Sequence, residues 1–112
     1  MEISAREVNG VTVFNMSGRL DANTVEDVEG KITAAIDDGA TKLILNMEGM
    51  DYISSVGLRV LVMAAKRISQ TQGGLALCTI QDQVKEIFDL AGFSAFLKMF
   101  DDEESAVASF ND

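Results

Sequence analysis

Histidine is missing from these 112 residues, as are proline and tryptophan, and cysteine occurs once. Without histidine the chain lacks the commonest general base and the commonest metal ligand. No Cys/His spacing suited to a metal and no phosphate-cradling glycine–lysine pattern occurs either. Neither a cofactor, nor a metal, nor catalysis is therefore expected. The lone Cys78 cannot close an internal disulfide. Set in the apolar run Leu75-Ala76-Leu77-Cys78-Thr79-Ile80, it reads as a buried thiol of a reducing compartment. No stretch approaches about 18 apolar residues, so no transmembrane helix is expected. The opening Met1-Glu2-Ile3-Ser4-Ala5-Arg6-Glu7 lacks the apolar centre of a secretory signal. Positive charge is scarce: 9 Lys and Arg face 18 Asp and Glu, a net charge of −9. That balance disfavours nucleic acid, which needs a basic footprint, and anionic membrane surfaces. A cytoplasmic chain with a protein or small-molecule partner is left.

What is present reads as strands alternating with helices in one domain, residues 1–112, without linker, repeat or low-complexity segment. Residues 3–8 suit an edge strand. Asn9-Gly10 is a hairpin signal, and β-branched and aromatic residues at 11–17 return as a second strand. Residues 18–23 are expected to be a loop. Thr24 opens a helix with Asp27 as a capping-box partner, Val25, Val28, Ile32, Ala35 and Ile36 on one face, and Asp38-Gly39 at its end. The apolar run 42–47 predicts a central strand covered on both faces, followed by a loop over 48–53. A second helix is expected from Ser54 or Ser55 to about Thr71, with Leu58, Leu61, Val62, Ala65 and Ile68 inward. A buried strand over 75–80 follows, and then a helix over 81–91 with Val84, Ile87, Phe88 and Ala91 inward. A short strand at 97–100 precedes a last helix capped by Asp101 or Asp102, with Glu103 and Glu104 in its first turn. The sum is an α/β fold with a mixed four- to five-stranded sheet, an N-terminal hairpin and about four helices.

One segment carries chemistry: Asp51-Tyr52-Ile53-Ser54-Ser55-Val56-Gly57-Leu58-Arg59. It enters a helix, where the first-turn N–H groups lack partners and the macrodipole is positive. An anion there is stabilised, so the fold would tolerate a phosphoserine. Gly57 lets backbone approach closely and leaves the hydroxyl unshielded. Serine is also an ordinary N-cap, and one of the two suffices for that role. Asp21 likewise suits an Asx turn, and Arg59 with Lys66-Arg67 suits a solvated helix face.

Ser54-Ser55-Val56-Gly57-Leu58-Arg59 resembles the Asp-Ser-x-Gly-Leu signature of the STAS-domain anti-sigma factor antagonists, with serine in place of the aspartate. Gly18-Arg19-Leu20-Asp21 is similar to the family's Gly-x-Leu-Asp. Asn46-Met47-Glu48-Gly49-Met50 leading to Tyr52-Ile53 is similar to its strand-end block, and residues 84–93 are similar to its third helix. The likeness covers nearly the whole chain in order. It implies a STAS fold and a non-enzymatic partner-switching regulator, a monomer when free. Ser55 would be the phosphorylated residue, with Ser54 as the alternative. The partners implied are an anti-sigma factor that is a GHKL-type serine kinase and a PP2C-type phosphatase. The unphosphorylated form would bind the kinase and release a sigma factor. Asp21, Ser54, Ser55, Val56, Gly57, Arg59 and Met63 would form the partner surface. A STAS module with another output fits the same residues: secretion, cyclase or stressosome regulation, or a phospholipid-transport accessory subunit.

Overall fold

The computed structural model describes residues 1–95 and 97–111. Strands β1 (Glu2–Val8) and β2 (Val11–Leu20) form the antiparallel hairpin, paired from Glu2 opposite Ser17 to Val8 opposite Val11. Asn9 and Gly10 both have positive φ, 51° and 81°, as a two-residue type I′ turn demands. Next come α1 (Val25–Asp37), β3 (Lys42–Ile53), α2 (Ser55–Ile68), β4 (Gly74–Cys78), α3 (Asp82–Leu90), β5 (Lys98–Phe100) and α4 (Glu103–Asn111). The five strands lie in sequence order. Every pairing after the hairpin is parallel, so the sheet is mixed.

Alternation along the strands sends side chains to two apolar layers. Phe14, Leu43, Leu45, Leu75 and Leu77 face α1, α2 and α3, which contribute Val28, Ile32, Leu58, Leu61, Ile68, Val84 and Phe88. Val11, Val13, Ile44, Ala76 and Cys78 face the opposite way and are covered by Ala106 and Val107 of α4. β3 is therefore buried on both faces, as its apolar run predicts. Cys78 is a buried free thiol, and its desolvation raises its pKa.

The structure differs from the sequence expectations mainly where strands end. Residues 18–20 and 48–53 are strand, not loop. Between Asn15 and Leu20, β3 carries two more residues than β2, because the register shifts at Asn15/Ser17 and again at Gly18/Arg19. These bulges break the two-residue period, so the buried positions become Met47, Met50 and Ile53, spaced by three. Gly49 permits the close approach: a Cβ there would stand 2.5 Å from Ser17 Cβ. Several other ends move inward. α2 stops at Ile68 rather than Thr71, and β4 stops at Cys78, where Thr79 turns the chain with φ of 56°. α3 spans 82–90, and Ala91, expected inward, is exposed beyond its end. The expected capping box at Thr24 does not form. Its hydroxyl donates to Arg19 O at 2.8 Å and accepts from Asp21 N–H, while Asp27 pairs with Lys31. Asp102, not Asp101, caps α4 by accepting from Ser105 N–H at 2.7 Å, which lowers its pKa.

Candidate functional site

The carboxyl ends of β2 and β3 converge at the entrance of α2. Leu20 pairs with Ile53, and Ser54 N–H donates to Leu20 O at 2.9 Å. That bond ties the segment after β2, which begins with Asp21, to the serine pair. Ser54 is extended (φ −93°, ψ 171°) and is the N-cap of α2. Its Oγ accepts from Gly57 N–H at 3.3 Å, and its carbonyl accepts from Leu58 N–H at 2.9 Å. Capping is thus assigned to Ser54, which is half-buried.

Ser55 is the first residue of α2 and is exposed. Among the described residues its hydroxyl has no protein partner, and no acid stands in the first turn of the helix. The two adjacent serines are therefore physically distinct. One is committed to holding the backbone, and the other is free at the positive end of a 14-residue helix.

Gly57 is buried and permits the close approach expected of it. A Cβ there would lie 2.7 Å from Leu20 Cγ and 3.0 Å from Ile53 Cγ1. Glycine lets the first turn of α2 rest directly on the ends of β2 and β3, and Leu58 and Leu61 anchor the helix beneath.

Asp21 forms the Asx turn that its position allows. Its Oδ1 accepts from Asn23 N–H at 2.9 Å, and Oδ2 lies 3.7 Å from Arg19 Nε. Arg19 in turn stacks on Tyr52, 4.1 Å from the ring centroid. Sequence reading did not single out Arg19 and Tyr52 as site residues. Their signal was the strand register that places them opposite each other, which is hidden until the bulges are known.

Along the outer side of α2, Val56, Arg59 and Met63 are exposed, Val56 by 39% and Met63 by 54%. Spacings of three and four place them on one stripe. The stripe leads into a groove of about 180 Å³ between α1 and α2, lined by Ile32, Ile36, Val60, Met63, Ala64 and Arg67. Val60, buried beside this groove, extends the inward face of α2 beyond the residues expected. Among the described residues no group of His, Cys, Asp and Glu is placed to hold a metal, and no helix is long and apolar enough to cross a membrane.

A family model described as the STAS domain matches residues 2–106. BtrV of Bordetella bronchiseptica, provisionally named an anti-sigma factor antagonist, is 32% identical over 98% of this chain and 95% of its own. A solved structure from Thermotoga maritima, given the same provisional name, superposes with a TM-score of 0.92 at 20% identity, covering 98% of this chain and 95% of that one. The anti-sigma factor antagonist SpoIIAA has been solved in two forms. The unphosphorylated form gives a TM-score of 0.82 at 21% identity over 99% of this chain and 98% of that one. The phosphorylated form from Bacillus gives 0.73 at 23% identity over 96% and 98%.

Proposed function

This chain belongs to the STAS-domain family, and from that premise we propose that it is an anti-sigma factor antagonist whose partner binding is switched off by phosphorylation of Ser55. A chain of this family is a binding domain and not an enzyme. The observation that carries the proposal is the division of labour at the mouth of α2: Ser54 caps the helix, and Ser55 is exposed and unengaged. A hydroxyl with no structural duty can be modified without unfolding anything. The names of BtrV and SpoIIAA, and the phosphorylated state in which SpoIIAA was solved, support the same reading.

In this reading the unphosphorylated protein docks on an anti-sigma factor, a serine kinase of the GHKL type, and so frees a sigma factor. The kinase phosphorylates Ser55, and a PP2C-type phosphatase reverses the modification. The docking face comprises Asp21, Ser54, Ser55, Val56, Gly57, Arg59 and Met63. Val56 and Met63 supply apolar contact, and the α1–α2 groove extends it.

Magnitudes decide what the phosphate does. It adds about −1.5 to −2 charges at pH 7. At a helix N-terminus that charge gains about 0.3–1 kcal/mol. Taking that charge out of water into an interface costs several kcal/mol, and about 1.4 kcal/mol is already a tenfold loss of affinity. The fold therefore tolerates the modification, and the complex does not.

The test combines mass mapping with titration. Incubation with the kinase and ATP places one phosphate on Ser55, Ser55→Ala takes up none and binds constitutively, and Ser54→Ala is still modified. Full phosphorylation of Ser55→Ala would show the acceptor to lie elsewhere.

A further inference from the structure

Arg59 stands one helical turn beyond Ser55, and we infer that it is the internal counter-ion of a phosphate carried there. Modification would then remove a cation from the docking face while adding a dianion to it. The inference rests on reading Ser55 as the acceptor.

Three observations carry it. First, Arg59 is uncommitted. Arg6 pairs with Glu103, Arg19 with Asp21 and Arg67 with Asp37, whereas Arg59 has no ion pair among the described residues despite the excess of acids in the chain. Second, the geometry of α2 favours the contact. Residues four apart on a helix hold their Cβ atoms about 5–6 Å from each other. Side chains lean toward the helix N-terminus, so Arg59 is directed toward the turn that begins with Ser55. Third, the other cations of this helix are out of reach. Lys66 lies eleven residues on, about 16 Å along the axis at 1.5 Å per residue. That is twice the screening length of about 8 Å at physiological salt.

The chemistry matches the geometry. A guanidinium offers a planar fork of N–H donors to phosphate oxygens, and a charge-assisted pair is stronger than a neutral one. The first turn of α2 holds no acid to compete for it. On the neighbouring segments, Asp21 is already engaged with Arg19 and with Asn23 N–H, while Asp51 is exposed on β3. Before modification Arg59 is free to meet an acidic group of the partner. Afterwards it is held by its own helix. The face thus presents a net negative pair where a lone cation stood, and both the loss of that cation and the added charge work against an acidic partner.

The test is a phosphorus NMR titration of the full-length protein with phosphoserine genetically encoded at position 55, so that no kinase is required. At low salt, the second ionisation of the phosphate should lie about half a pKa unit lower in the wild type than in Arg59→Gln, a threefold difference in proton affinity. Arg59→Lys should recover part of that difference, since it keeps the charge and loses the fork. Arg19, Asp21, Asp51 and the helix terminus are common to all three proteins and cancel. Superimposable curves for the wild type and Arg59→Gln overturn the inference, and so does an Arg59→Lys curve that follows Arg59→Gln. The assignment of Ser55 as the switch stands or falls separately, on whether the phosphorylated wild type loses affinity for the anti-sigma factor.

Discussion

At the scale of single residues, the adjacent serines make opposite predictions. Ser54 satisfies an otherwise orphaned N–H at the start of α2, and loss of such a cap costs about 1 kcal/mol. Ser55 satisfies nothing in the fold, so its replacement by alanine should alter stability by no more than about 0.5 kcal/mol. Urea unfolding of the two variants should show a lowered midpoint for Ser54→Ala only. Equal losses would contradict the separation of roles. Gly57→Ala pits two effects against each other. Helix propensity favours alanine by about 1 kcal/mol. The added methyl, however, meets Leu20 Cγ and Ile53 Cγ1, both on fully packed side chains, and overpacking costs about 1–3 kcal/mol. Net destabilisation and weaker partner binding are expected, because the mouth of α2 must lift off the strand ends. A variant more stable than the wild type would mean that the contact relaxes freely.

At the scale of elements, α4 is the sole cover described for the second apolar layer, and its first turn is pinned electrostatically. Glu103 accepts from Arg6 on β1 and from Asn46 on β3, the latter at 3.0 Å. The Arg6 hydrogen bond is the main reason that the Glu103 carboxyl titrates below its ordinary value, against the opposing effect of partial burial. A pKa lowered by folding means stability that is present above the ordinary carboxylate value and is lost as the pH falls from there through the lowered value of the folded state. The wild type should therefore lose stability in acid more steeply than Glu103→Gln, with the gap between them closing at low pH. Cys78 lies in the layer beneath and reports the same event. A thiol reagent should label it faster in Glu103→Gln at neutral pH, where the pin matters. Identical labelling rates would show that opening of α4 does not depend on Glu103. The strand ends teach a different lesson. Residues 42–47 were legible as a central strand because their apolar run is uninterrupted, whereas 48–53 were not. Two bulges had changed the spacing of the buried residues from two to three.

For the whole molecule, phosphorylation should be an event of the surface. Ser55, the proposed acceptor, is exposed at a helix terminus, and Leu58 and Leu61 beneath it are buried. Near-UV and far-UV circular dichroism should be unchanged. The unfolding midpoint should stay level or rise slightly, by an amount that diminishes as salt is added. Over the same comparison, partner affinity should fall at least about tenfold, the equivalent of 1.4 kcal/mol. A modified protein that unfolds more easily would replace the docking penalty with a folding penalty and would sink the proposed switch.

The sequence by itself determined the order of elements, the I′ hairpin at Asn9-Gly10, the two-faced burial of β3 and the presence of serines at a helix mouth. Each of these rests on interactions within a few residues of chain or on the alternation of one strand. Only the tertiary structure decided which serine caps and which is free, why position 57 must be glycine, and that Asp21, Arg19 and Tyr52 stand at the entrance of α2. Those facts depend on the parallel pairing of β2 with β3, strands separated by a whole helix, and on bulges that set their register. Local periodicity carries no information about either.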